Sequence, residues 1–231
     1  MTLDPTRLGN VMWRCLSGSH AHLAEGVGAA RRYQRGFSPL LGFADPENPD
    51  FSGLDGCTQS GEQFYCAEWT GDVPPGWRLL QEATMLRMVD TGALAISPEG
   101  AEAPVWRALT AVDAEAALAL ALKMRPGPFG PRTLELGDYL GIFDNDALVA
   151  MAGERMQAGP WREISGVCTA PGYGGRGLAV TLMKELMRRQ RSRGEGTFLH
   201  VMSSNTVARR LYEGLGFRAA AEVAVRVLER L

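Results

Sequence analysis

Residues 163–217 hold the side chains and spacings best suited to chemistry. Glu163 opens a strand-like run that ends at Pro171. Gly172-Tyr-Gly-Gly-Arg-Gly177 follows, then an amphipathic helix, and the stretch closes with Asn205 to Phe217. A strand, a glycine loop and a helix N-terminus form a site for a phosphate-bearing ligand. The loop N–H groups are free to point at oxygens, and the helix dipole favours negative charge there. Arg176 adds a cation to the loop. Cys168 as a covalent nucleophile needs a base beside it, and no neighbouring His or Asp constellation supplies one, so it reads as an inert strand thiol.

Two other phosphate-loop readings compete. Gly172, Gly174 and Gly177 fit G-x-G-x-x-G. The dinucleotide fingerprint also needs an acidic residue at the end of the next strand. Here that strand, 197–202, runs into Ser203-Ser-Asn205, and only about 25 residues remain where each crossover unit takes about 30. A nicotinamide enzyme is therefore a poor alternative. A P-loop is excluded, since no Gly-Lys-Ser or Gly-Lys-Thr follows.

Composition sets the class. The 231 residues, 45% hydrophobic and 22% charged, describe an ordinary soluble protein of one large domain or two small ones. No apolar run is long enough to span a bilayer, and the first residues lack the pattern of a signal peptide. Cys15, Cys57, Cys66 and Cys168 show no CxxC spacing. They read as reduced thiols of a cytoplasmic protein, with a Cys57–Cys66 disulfide the lesser alternative. The net charge of −2 gives no sign of nucleic-acid binding. Residues 161–231 nonetheless carry +6 against −8 elsewhere, which suits a polyanionic ligand at the glycine loop. Arg188, Arg189, Arg191 and Arg193 in that segment read as complements to a helix C-terminus. His20 and His22 fall on different sides of a helix, and no metal site is expected.

The elements that must position these residues follow from local pattern. Asp4-Pro5 caps a short first helix with Leu8, Val11, Met12, Cys15 and Leu16 on one stripe, and a second is read from Ser19. Residues 36–62 read as loop, 63–69 and 77–89 as strands, and 97–104 as a linker. From residue 104 the pattern is βα-βββ-α-β-α-β. It comprises a strand at 105–109, a helix at 113–124, and a hairpin of 139–143 with 147–152. A strand at 163–169 and a helix at 178–193 follow. A strand at 197–202, a helix at 206–213, and one or two strands over 217–227 complete it. The expected class is α/β, of the α+β type with mixed sheet directions. The expected domains are 1–103, smaller and of uncertain function, and 104–231. Trp13-Arg-Cys-Leu and Trp106-Arg-Ala-Leu echo each other, too briefly to argue for a duplication.

Residues 105–231 resemble the GNAT superfamily of acyl-CoA N-acyltransferases, especially its glycine N-acyltransferase-like branch. The family's pyrophosphate motif is Arg/Gln-x-x-Gly-x-Gly/Ala. Gly174 stands at its first position, Gly177 at the first Gly and Ala179 at the last. Gly174 is a departure that removes a side chain. The backbone donors implied by the resemblance are Gly175, Gly177, Leu178 and Ala179, with Arg176 nearby. Val167, Cys168 and Thr169 match the family strand that splays at a bulge and pairs with the pantetheine arm. The Val167 N–H is then the oxyanion donor. Some members carry a general base at the Glu163 spacing; the other reading is a solvated glutamate at a strand start. Tyr212 lies in Asn-x-x-Ala-x-x-Leu-Tyr-x-x-x-Gly-Phe, where the family's tyrosine protonates the departing thiolate. By spacing alone, Val207, Ala208, Leu211, Tyr212 and Leu215 make an apolar helix face. Asn205 is expected to cap this helix and to bond the CoA arm. Arg125 to Arg132 would border the acceptor pocket.

The resemblance implies an N-acetyltransferase moving an acetyl group from acetyl-CoA to a primary amine of a small molecule or peptide, in a ternary complex and without metal. Residues 1–103 would be a degenerate copy of the same fold or a cap over the acceptor site. No nucleic-acid or membrane partner is expected, and a homodimer stays open. The alternative is a non-catalytic acyl-CoA-binding regulatory module, which the missing Arg/Gln at Gly174 favours.

Overall fold

The computed structural model describes residues 3–96 and 104–231; the linker expected at 97–104 lies outside them, apart from Pro104. Asp4 caps the first turn, accepting from Thr6 N at 3.0 Å. That turn, Pro5–Leu8, is of the tight 3₁₀ type and is separated from α1 (Val11–Arg14) by Asn10 in the left-handed region, φ 51°. One helix was expected here. The stripe of Leu8, Val11, Met12, Cys15 and Leu16 is buried all the same. A second helix near Ser19 is replaced by a wide turn, Cys15–Ser19, and a tight one, Ala21–Leu23.

A small antiparallel sheet, β1 (Ala24–Glu25), β2 (Ala30–Tyr33) and β3 (Leu41–Phe43), comes next. Its strand β3 and the tight turn Phe51–Leu54 take up part of the segment expected as loop, 36–62. The strands β4 (Gln63–Ala67) and β5 (Trp77–Asp90) follow. After them come β6 (Arg107–Ala108), α2 (Ala114–Met124), the long hairpin β7 (Tyr139–Asp144) and β8 (Ala147–Ala158), and β9 (Trp161–Thr169). The chain ends with α3 (Leu178–Ser192), β10 (Gly196–Met202), α4 (Thr206–Gly214) and β11 (Phe217–Arg230), a single strand of 14 residues.

Among the described residues, the main sheet has eight strands in the order β4-β11-β5-β10-β9-β8-β7-β6. Only β9 and β10 run parallel; the other neighbours are antiparallel. β5 sits between β10 and β11, so the sheet draws strands from both sides of the 103/104 boundary. Helix α3 buries Leu178, Leu182, Met183, Leu186 and Met187 against Leu140, Val149, Ile164 and Leu199 on one face of the sheet. Truncating one such leucine to alanine costs about 2–5 kcal/mol. On the other face, Trp161, Met156 and Phe198 pack with Leu8, Val11, Leu16 and Tyr33 of the N-terminal segment. Helix α2 lays Ala117, Leu120 and Ala121 beside Tyr139, Met151 and Cys168. Among the described residues, no helix is long and apolar enough to cross a membrane.

Candidate active site

The parallel pair β9/β10 opens into a V. It is hydrogen-bonded only through Trp161↔Gly196, Arg162↔Thr197 and Glu163↔Phe198. Beyond that point β9 pairs with β8 alone and β10 with β5 alone. Just beyond the apex, the β8/β9 register shifts between Gly153↔Ser165 and Met151↔Cys168, which makes Gly166 and Val167 a bulge. Gly166 has φ +64°, a conformation that suits glycine. Val167, Cys168 and Thr169 therefore lie on the open limb of β9. Their backbone edge faces the gap, and an extended chain could join it as a strand does. Cys168 is buried, and burial pushes its thiol up to about 12. That leaves almost no thiolate near neutrality, so it is no nucleophile.

The glycine loop closes one end of the V. Gly172, Gly175 and Gly177 have φ of +85°, +75° and +74°, and a Cβ at any of them, or at Gly174, would meet nothing within 4 Å. The loop surface is thus open for an approaching ligand. Gly177 is the residue before α3, with no side-chain cap on the helix. The N–H groups of Leu178, Ala179 and Val180 have no intrahelical acceptor. Thr181 N is the first in this turn to bond back, to the Gly177 carbonyl at 3.0 Å. Three outward N–H groups on a 15-residue helix make an anion cradle. Arg176 is exposed, bonded to the Gly172 carbonyl at 3.0 Å and stacked 4.9 Å from the Tyr173 ring. Its guanidinium stays at the rim of the loop.

Helix α4 closes the other side. Asn205 accepts from Ala208 N at 3.1 Å, the expected cap. Ala208, Leu211 and Tyr212 pack on the core that α3 covers, whereas Val207 is 79% exposed and does not belong to the apolar face. The half-buried Tyr212 ring lies 6.2 Å from that of Phe217. Burial, and to a lesser degree the Cys168 sulphur, push its hydroxyl up to about 12. Tyr212 thus keeps its proton across the neutral range.

Glu163 is the last β9 residue paired to β10, at the apex of the V. It is fully buried, which corrects the reading of a solvated strand-start glutamate. Arg155 grips it in a fork, Nε to Oε2 and Nη2 to Oε1, both at 2.8 Å. His200 Nδ1 lies 2.8 Å from Oε1. Arg87 Nε donates to His200 Nε2 at 3.2 Å, so the imidazole proton is on Nδ1 and points at Glu163. Arg87 in turn pairs with Glu68, which also accepts from Asn10 N at 2.8 Å. Burial alone would raise the Glu163 pKa. The Arg155 charge and the His200 hydrogen bond outweigh it and hold the carboxyl down at about 2. A carboxylate so committed gains little by taking an amine's proton, and here the general-base expectation meets a physical obstacle. His200 is neutral, because burial pushes it down more strongly than Glu163 raises it.

The loop at Arg125–Arg132 packs on the N-terminal segment. Arg132 N donates to the Gly36 carbonyl at 2.7 Å, and its guanidinium pairs with Glu135 and lies 4.3 Å from the Phe37 ring. Phe129 meets the Tyr139 ring edge-on at 5.8 Å. Gly166, Arg155, His200 and Tyr139 are site-forming residues that pattern reading passed over. Gly166, inside a strand run, is a bulge signal. His200 alternates with Leu199 and Val201 and so faces away from α3. Arg155 carries no local signal.

The profile of the FR47-like protein family matches residues 139–227. A GNAT-family structure from Novosphingobium aromaticivorans DSM 12444 shares 33% identity, with 97% of this chain and 99% of that one covered and a TM-score of 0.86. A GCN5-related N-acetyltransferase from Kribbella flavida superposes at TM-score 0.61 with 17% identity, over 100% of this chain and 96% of its own. A GCN5-related N-acetyltransferase-like protein from Streptococcus suis 89/1591 gives 0.59 with 17% identity, over 96% and 92%. The last two show likeness of fold alone. No curated protein matches the chain. With the split parallel pair, the bulge and the glycine loop before α3 in place, the relative of matching length at one-third identity settles the family: the chain belongs to the GNAT family.

Proposed function

We propose that this protein transfers an acetyl group from acetyl-CoA to a primary amine of a small molecule or peptide. The observation that carries the reading is the V between β9 and β10, flanked by the open glycine loop and the uncapped N-terminus of α3. In this reading the pyrophosphate of the substrate lies at Gly175, Gly177, Leu178 and Ala179. Its pantetheine arm pairs with the free edge of Val167, Cys168 and Thr169. A small amine as acceptor is in keeping with the resemblance to the glycine N-acyltransferase branch.

The reaction follows from charge flow. The neutral amine's lone pair attacks the thioester carbonyl carbon, and the carbonyl electrons move onto oxygen, which the Val167 N–H stabilises. As the oxyanion collapses, the C–N bond remains and the C–S pair leaves with sulphur. Tyr212, protonated at neutral pH, gives its proton to that sulphur. The proton shed by nitrogen passes through water and restores the tyrosine. Glu163 serves as a fixed anchor at the apex and holds Arg155 and His200 in place.

A second reading, a CoA-binding module without turnover, is favoured by one feature. Gly174 puts no side chain where the family motif has Arg or Gln, and Arg176 folds back on its own loop instead. Two assays separate the readings. Acetyl-CoA should raise the melting temperature, by the equivalent of about 2.7 kcal/mol at a hundredfold excess over Kd. A panel of primary amines should then release free thiol. Stabilisation without thiol release supports the module, and no stabilisation at millimolar ligand defeats both.

A further inference from the structure

The Tyr139 side chain is fully buried, yet its hydroxyl has no hydrogen-bond partner among the described residues. Buried hydroxyls are almost always satisfied, so an orphan calls for a reason. Two neighbouring strands make room for this ring. A Cβ on Gly153 would fall 2.1 Å from it, inside the ring's own space. A Cβ on Gly166, at the bulge, would lie 3.3 Å from its Cε1 and 3.7 Å from its hydroxyl oxygen. Glycine weakens a strand interior, so two such positions around one phenol mark a constructed seat. Packing does not need the hydroxyl: phenylalanine would fill the seat without burying an unpaired polar atom.

The seat delivers the hydroxyl beneath the bulge, beside the peptide that carries Val167. The loop above it runs from Phe129, edge-on to the ring, back to Gly127, whose absent Cβ would lie 3.9 Å from Arg155 Nη1. Phe129 is only half buried, and Gly127 has φ +135°. No open space reaches the hydroxyl as the ring stands, so a small group gains it only when the half-buried Phe129 side chain turns aside. Burial keeps the phenol neutral, and its oxygen has lone pairs that can accept an N–H. Glu163 is already committed, with three of its roughly four acceptor sites taken by Arg155 and His200.

We infer that the Tyr139 hydroxyl receives the acceptor's amino group, accepting one N–H and so turning the nitrogen lone pair toward the thioester carbon. The inference rests on the acyl-transfer reading. It adds an acceptor-binding group on the face of β9 away from α3.

Tyr139→Phe tests it. The variant should fold with an unchanged or higher melting temperature, because it removes an unpaired buried group. Its stabilisation by acetyl-CoA should equal that of the wild type. With the best amine of the panel, kcat/KM should fall roughly tenfold or more, with KM rising as kcat falls. Calorimetric titration of the same amines into the CoA complex gives a second readout, in which binding should weaken by a similar factor. Equal kcat/KM within twofold overturns the inference, as does equal amine binding in variant and wild type, or none in the wild type. Loss of CoA stabilisation in the wild type sinks the underlying reading instead, so the two failures are distinguishable.

Discussion

Replacing Glu163 by glutamine removes one charge from a fully buried pair and leaves the shape almost unchanged. The Arg155 guanidinium then sits buried without its counter-ion, and the new amide turns a donor toward a donor. Breaking a buried pair in this way costs about 3–5 kcal/mol. The pKa gives an independent figure. Glu163 is held at about 2 against 4.5 for the free side chain, and at ~1.4 kcal/mol per tenfold this amounts to about 3 kcal/mol. The two agree. At ~2–4 °C per kcal/mol for a chain of this size, the melting temperature should drop by roughly 6–20 °C. The pH dependence has a definite sign. The folded carboxyl binds its proton more weakly than the unfolded one, so the pair's contribution is complete above about 4.5. It is lost as pH falls toward about 2. Differential scanning calorimetry of both proteins between pH 3 and pH 7 measures this, and the gap between them should narrow at the acid end. A variant melting within 2 °C of wild type at pH 7, with kcat much reduced, would refute the anchor argument and restore Glu163 as base. The double replacement Arg155→Met with Glu163→Leu should recover most of the lost stability, since an apolar pair needs no counter-charge.

Gly177→Val should abolish stabilisation by CoA. The position is open but left-handed, so the fold pays about 1–2 kcal/mol of backbone strain while the side chain blocks the cradle; a retained thermal shift would contradict this. Tyr212→Phe keeps the contact with Phe217 and should lower kcat roughly 10- to 1000-fold with little change in acetyl-CoA affinity. Wild-type turnover in that variant would return Tyr212 to a packing role. Gly153→Ala drives a methyl into the Tyr139 ring and should destabilise by about 1–3 kcal/mol or more, read by urea unfolding.

Local pattern reached the elements whose signals are local. Leu178, Leu182 and Leu186 mark α3 to within a residue, because their fourfold spacing is the helix face that meets the sheet. The glycine loop, the Asn205 cap and the strand at Gly196–Met202 were equally plain. What escaped was non-local or strained. Glu163 invites a solvated reading because its partners stand eight residues upstream and 37 downstream, on other strands. The first helix is interrupted because Asn10 turns left-handed, where its N–H meets Glu68 and its side chain reaches the Phe43 carbonyl at 2.8 Å. A propensity scan sees only the buried stripe. The bulge at Gly166 was written in the sequence, but its meaning depends on the Tyr139 ring packed against it.

The insertion of β5 between β10 and β11 also dictates an order of events as the chain is made. Residues 77–90 leave the ribosome long before 196–230, so both long edges of β5 must wait, unpaired, for more than a hundred residues of synthesis. An exposed strand edge in that interval is a template for wrong pairing. Conversely, a chain shortened to its last 128 residues would present β10 and β11 with a gap between them and two bare edges facing it. Closure over so long a loop also makes this step slow relative to the β7/β8 hairpin, which pairs across a two-residue turn. The sheet that carries the V is thus completed last, when β10 and β11 close on the two edges of β5.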